Sequence, residues 1–312
     1  MNELELIRRL TRDLPANHSV VVGPGDDCAV LEPGLDDRWL LFKTDAVVEG
    51  VHFTADTEPA RIGHKALARC LSDIAAMGGR PDSAVVTVAA PPTCDPGRIE
   101  AIYGGMAATA RRFEVAIVGG ETTSTTGPLL LSVALIGSVQ KTRCVRRAGA
   151  VSGDAVFVSG ELGGSLAGRH LDFEPRIEEA TWLVGHFRPH AMIDVSDGLA
   201  TDLRHLLEAS SVGAELLQEA LPVSRAARQR AREGTGKPPV EAALTDGEDF
   251  ELLFTVPGAD AVPLLDGWKA RFPELRLSCI GRITETPGLT LRDRRGTRPL
   301  DLHGYAHFTK PG

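Results

Sequence analysis

The sequence predicts an α/β (α+β) protein of two domains, residues 1–140 and residues 141–312. Three observations lead there. Val-, Ile- and Leu-rich runs alternate with helix-spaced segments in both halves of the chain. The polar stretch 139–154, "VQKTRCVRRAGAVSGD", interrupts that alternation as a connection would. Finally, 312 residues with 43% hydrophobic and 24% charged content suffice for two separately buried cores.

In chain order, "MNELELIRRL" mixes acids and bases and reads as an amphipathic helix rather than a signal peptide. Strands are expected at 38–48, 84–90, 115–119 and 129–138, with helices over 60–78 and 97–113. Leu67, Cys70, Leu71 and Ile74 share one face of the first of these helices. The second half predicts a strand at 155–159, helices at 165–170 and 176–186, a strand at 191–195 and a helix at 199–210. Strands at 251–256 and 277–283 complete it. Segment 224–240 reads as a charged helix followed by a Gly/Pro loop. Its "GTGK" lacks the G-x-x-x-x-G-K-[ST] spacing and Pro238 follows the lysine, so it is no P-loop.

The formal net charge is −8 without a dense basic run, which argues against a nucleic-acid surface. No apolar run approaches the roughly 18 residues of a membrane span. The five cysteines are widely spaced and odd in number, as expected of reduced thiols in a cytoplasmic protein.

Acids gather where apolar strands end or glycine turns begin, the places where α/β sheets bind ligands. Asp26 and Asp27 lie in "GPGDDCAVL", Asp45 and Glu49 in "KTDAVVEGVHF", Asp73 in "KALARCLSDIAAMGG" and Glu121 in "VGGETTS". Asp194, Ser196, Asp197 and Asp202 crowd "IDVSDGLATDL", and Glu248, Asp249 and Glu251 crowd "TDGEDFELLF". Singly, each has an ordinary role: Asp197 or Asp202 as a helix cap, "GDD" as a turn, Asp73 in an interhelical salt bridge. Gathered without cations they would repel one another. Mg²⁺, held by oxygen ligands and substrate phosphates, resolves this and lets an acidic protein bind polyanions. The nine histidines form no H-E-x-x-H; His303 and His307 are four apart but have no companions. "VSGELGGS" suits a phosphate on its amides and equally suits a plain turn capped by Ser165.

These motifs, in this order and together with "VRRAGAVSGD", "VSGELGGSLAG" and the terminal "GYAHF", resemble the thiamine-monophosphate kinase family. That family belongs to the aminoimidazole ribonucleotide synthetase-like superfamily, and the resemblance covers about residues 20–308. It implies transfer of the ATP γ-phosphate to thiamine monophosphate, several Mg²⁺ ions per site, and a homodimer paired through the N-terminal sheet. Carried over by position, Asp27, Asp45, Asp73, Asp194 and Asp197 fall on magnesium ligands, with Thr44 in the same segment. Tyr103, Gly120, Arg147 and Ser196 match ATP contacts; His52, Glu248 and Tyr305 match contacts to the thiamine substrate. Asp197 and Arg147 are the expected catalytic pair, with Arg147 on a phosphate. Tyr305, His307 and Phe308 are candidates to flank the thiazolium, although a core-packing Phe308 is the preferred reading.

The chain departs from the family pattern at three places. Glu121 replaces the Asp of G-G-D-T and remains a candidate for both metal and ATP phosphates. Lys43 replaces a Ser or Thr, so that only its backbone carbonyl remains to reach a metal. Asp246 replaces a Gly. Rival readings are another ATP-dependent enzyme of the superfamily and a catalytically silent thiamine-phosphate binder. Residues 1–19 lack the reactive Cys expected of a selenophosphate synthetase, and a silent binder has no need of all five aspartates.

Overall fold

The computed structural model describes residues 3–305. After helix α1 (Glu3–Thr11), the first half builds a six-stranded sheet from β1 (Val20–Val22), β2 (Ala29–Leu31), β3 (Arg38–Val48), β4 (Arg80–Ala90), β5 (Ala116–Ser124) and β6 (Leu130–Gln140). Their spatial order is β1-β2-β3-β6-β4-β5, antiparallel except for the β4–β5 pair. Strict alternation fixes its two faces. Leu41, Val47, Ala84, Val86, Val88, Leu131, Val133 and Leu135 point inward and are buried. Helices α2 (Pro59–Ala76) and α3 (Pro96–Arg112) cover that inner face. Each starts on a proline behind an acidic cap: Glu58 accepts from the amides of Ala60 and Arg61, and Asp95 from that of Gly97. The two helices lie so close that a Cβ on Gly63 would collide with the Ile102 carbonyl oxygen.

The second half forms a seven-stranded sheet in the order β13-β12-β9-β11-β7-β10-β8. Its strands are β7 (Ala155–Ser159), β8 (Ala191–Asp194), β9 (Gly213–Leu217), β10 (Leu252–Val256), β11 (Leu277–Thr284), β12 (Gly288–Asp293) and β13 (Gly296–Pro299). Strands β7, β8 and β10 are buried on both faces. Phe157, Met192 and Phe254 pack on α4 (Ile177–His186) and α8 (Ala261–Arg271). Val156, Val158 and Ile193 share the other core with Leu203 and Leu206 of α5 (Leu199–Ser210), Ala227 of α6 (Arg225–Arg232) and Ala242 of α7 (Pro239–Thr245). Helix α2 joins the halves: Ala75 belongs to the same buried cluster as Phe157 and Met192.

Three elements differ from expectation. Residues 165–170 form two single 3₁₀ turns rather than a helix, because Gly163, Gly164 and Gly168 all adopt positive φ there. Strand β5 continues past 119 to Ser124 through a bulge, so Glu121 lies within a strand and not after its end. Strands β9, β12 and β13 extend the second sheet beyond the expected set.

Candidate active site

Three buried carboxylates converge where α2 meets both sheets. Asp27 follows the Gly–Pro–Gly turn before β2, Asp73 lies near the end of α2, and Asp194 ends β8. An oxygen from each lies within 4.8 Å of the others, and their exposures are 2%, 7% and 3%. Ser72 donates to Asp194 at 2.6 Å, and the Arg147 guanidinium reaches Asp27 Oδ1 at 2.5 Å. Lys43 stands 3.0 Å from Asp73 and 3.8 Å from Asp45.

Electrostatics reflect the crowding. Burial, aided by the Asp27 charge, pushes the Asp194 carboxyl up to about 7. Burial and Asp27 raise neighbouring Asp26 to about 6, and burial holds Asp73 well above the usual carboxylate range despite Lys43. Asp27 Oδ2 is buried and accepts no hydrogen bond. An orphaned carboxylate oxygen facing two other buried carboxylates is what a hard, oxygen-seeking cation fits.

The turn after β8 carries Ser196 and Asp197. Asp202, 2% exposed in the first turn of α5, reaches back to accept from the amides of Asp197 and Gly198, both at 3.0 Å. It therefore fixes the turn that presents Asp197; Gly198, not either aspartate, caps the helix. The C-terminal segment docks on this turn through Tyr305 N to Asp197 O at 2.9 Å and Gly304 N to Thr201 Oγ1 at 2.8 Å. His307 and Phe308 lie outside the described residues.

Beside the turn lies a cavity of about 150 Å³ lined by residues including His52, Arg69, Ser196, Asp197, Glu248, Phe250 and Tyr305. Its acid is Glu248. Fully buried Lys65 donates to Glu248 at 2.7–2.9 Å and to the His52 carbonyl at 2.7 Å, with His170 Nδ1 at 2.8 Å. Burial opposes the Glu248 charge, but hydrogen bonds from His170 and Lys65 overcome it and hold the carboxyl at about 2. Burial in turn lowers Lys65 to about 8 against the pull of Glu248. Arg69 spans the two regions, 3.4 Å from Glu248 and 3.9 Å from Asp45.

The glycine loop before the 3₁₀ turns has its amides occupied. Gly163 N donates to Asp249 and Gly164 N to Asp246, while Ser165 Oγ binds the Gly247 carbonyl rather than capping a helix. The loop thus anchors the strand of residues that carries Glu248, and its phosphate-cradle reading falls. Asp249 and Glu251 are spent on Arg169 and Arg176.

A profile of the AIR synthase related protein N-terminal domain matches residues 25–139. The thiamine-monophosphate kinase of Rhodopirellula baltica is 43% identical over 296 residues, covering 93% of this chain and 90% of that one. That of Bacillus subtilis is 33% identical over 99% of this chain and 100% of its own. Among solved structures, AaThiL complexed with AMPPCP and TMP superposes with a TM-score of 0.81 at 32% identity, covering 98% of this chain and 96% of that one.

The chain belongs to the thiamine-monophosphate kinase family. Of the residues that resemblance to this family singles out, the fold gathers Asp27, Lys43, Asp45, Asp73, Arg147 and Asp194 around one cluster. It gathers His52, Ser196, Asp197, Glu248 and Tyr305 around one cavity. Thr44 does not join them: the pleat turns it to the outer face of the sheet, where it meets Ser132 at 3.4 Å. Tyr103 packs against the N-terminal core from α3. Gly120 and Glu121 sit on the edge strand β5, where a Cβ on Gly120 would collide with the Val86 carbonyl oxygen. Strands β6 and β4 separate them from Asp45, roughly 14 Å at about 4.8 Å per strand. Sequence reasoning missed Lys65, Arg69 and Ser72. Their spacing with Asp73 on one helix, at i, i+4, i+7 and i+8, was the available signal.

Proposed function

We propose that the protein transfers the γ-phosphate of ATP directly to thiamine monophosphate, giving thiamine diphosphate and ADP. One observation carries this reading: α2 places a buried carboxylate cluster and an acid-bearing cavity side by side. The cluster suits the metal-bound triphosphate and the cavity suits a cationic thiazolium. Asp27, Asp73 and Asp194 are the residues that would hold Mg²⁺, with Asp45 and Asp197 beside them; the ion, when bound, neutralises phosphate charge.

The acceptor phosphate is already ionised near neutral pH, so the task is bringing two anions into line. Arg147, held on Asp27 and extending from the 141–154 connection, offers its remaining donors to a phosphate. Ser196 and Asp197 stand at the junction of cluster and cavity, where the transferred group passes. Glu248, ionised throughout the physiological range, attracts the thiazolium, with Phe250 and Tyr305 supplying aromatic surface.

We further infer two domains, divided at 140/141, and a cytoplasmic homodimer. Phe42, Val85 and Ile136 are 45%, 43% and 40% exposed on the outer face of the N-terminal sheet, an apolar patch that a second copy would cover. Thiamine diphosphate formation, measured with and without Mg²⁺, tests the function. Turnover is expected with thiamine monophosphate and Mg²⁺ only; equal turnover of unphosphorylated thiamine refutes the assignment.

A further inference from the structure

The acids of the cluster are unequally neutralised. On one side, Asp27 Oδ2 accepts nothing and Asp194 receives only the Ser72 hydroxyl. On the other, the Lys43 ammonium stands between Asp73 Oδ1 at 3.0 Å and Asp45 Oδ2 at 3.8 Å. Lys43 and Asp45 lie two apart on β3 and so share the inner face, across from Asp73 on α2. The Lys43 side chain is 23% exposed, those of its partners 19% and 9%. A part-buried ammonium between a buried and a part-buried carboxylate occupies the place that a divalent ion bridging the same oxygens would need, and its charge repels any ion brought there.

We propose that Lys43 is a resident cation: it permanently neutralises Asp45 and the Asp73 oxygen it contacts, and leaves Asp27, Asp194 and the other Asp73 oxygen for exchangeable divalent ions. The chain therefore binds one divalent ion fewer than its carboxylates alone would recruit. Lys43 acts here as a positioning residue, keeping Asp45 and Asp73 together before any metal or nucleotide arrives. Arg69, 3.9 Å from Asp45 on the opposite side, completes the built-in charge. This inference rests on the metal-dependent reading given above.

Mn²⁺ binding to the nucleotide-free full-length protein, followed by the electron paramagnetic resonance of free Mn²⁺, tests it. Lys43→Ser and Lys43→Gln are expected to bind one more Mn²⁺ per chain than the unaltered protein, and Lys43→Arg the same number. Adding Asp45→Asn to Lys43→Ser should remove the extra ion. In EDTA, Lys43→Gln should melt below the unaltered protein, and Mg²⁺ should recover more of its midpoint. Equal Mn²⁺ counts in the unaltered protein and both neutral variants overturn the resident-cation inference alone. Absence of Mn²⁺ binding to the unaltered protein overturns the metal reading, and the inference with it.

Discussion

Lys65 is the sharpest place to perturb the proposed substrate cavity. It is fully buried on α2, and its ammonium donates to Glu248 and the His52 carbonyl. Replacing it with Met keeps the stem's volume and removes the charge, leaving Glu248 buried with only His170 and the more distant Arg69. The folded site lowers the Glu248 carboxyl from 4.5 to about 2. At about 1.36 kcal/mol per pKa unit, that is roughly 3 kcal/mol of differential stabilisation shared by His170, Lys65 and Arg69, while burial, by lowering Lys65 itself to about 8, offsets a similar amount on the other partner. The loss on removing Lys65 is therefore that of a carboxylate left without its partner, about 3–5 kcal/mol when fully buried and less here, where the Glu248 side chain is 18% exposed.

The sign follows from linkage. A depressed acid contributes stability that is fully present above its unfolded pKa, 4.5, and is lost as pH falls through about 2. Urea unfolding of Lys65→Met at pH 7 should therefore show a loss of about 2–3 kcal/mol. The double variant Lys65→Met/Glu248→Gln should recover much of it, since no buried charge then lacks its partner. The KM for thiamine monophosphate should rise in the single variant, because the His52 carbonyl and Glu248 lose their common anchor. A double variant no more stable than Lys65→Met would refute the ion-pair reasoning and reduce Lys65 to a packing element.

Asp202→Ala should lower stability by about 1–3 kcal/mol and cut activity, because Asp202 accepts two amides of the turn that presents Asp197; normal melting and activity would remove that role. Asp197→Asn should melt normally while losing most turnover, and a collapsed thermal midpoint would mark Asp197 as structural instead. Tyr305→Ala should raise the KM for thiamine monophosphate more than that for ATP, measured by steady-state kinetics with each substrate varied. Glu121→Asp should keep activity with an altered Mg²⁺ requirement, whereas Glu121→Gln loses much of both; unchanged Mg²⁺ dependence in Glu121→Gln would exclude Glu121 from the site.

The acids were legible because burial makes them costly: a carboxylate at the end of an apolar strand, as at Asp194, needs a reason to be there. Two basic residues were not. Lys65 and Arg69 in a helix read by default as solvated side chains, and only the packing of α2 between two sheets encloses Lys65 completely. Asp202 reads from spacing as an ordinary helix cap, because spacing says nothing of a side chain reaching back to two amides. The glycine loop misled in the opposite direction. Its amides do bind anions, as the composition suggests, but the anions are Asp246 and Asp249 of the same chain.

That internal use of the loop explains how the cavity holds its shape. Glu248 and Phe250 both adopt left-handed backbone angles, with φ of 61° and 51°. Each costs on the order of 1–2 kcal/mol in an L-residue. The segment is kept there from both flanks: Asp246 and Asp249 on the Gly164 and Gly163 amides, Arg169 across Asp249 and Glu251, and Phe250 stacked on Phe173 at 3.9 Å. The alternating result is that Glu248 alone of these acids faces the cavity while its neighbours Asp249 and Glu251 are turned into the fold. The strain thus goes into aiming one carboxylate, and Lys65 on the rigid α2 receives it. On the function proposed above, substrate charge would be met by a group set in place before binding, so that ordering it is a cost already carried by the fold.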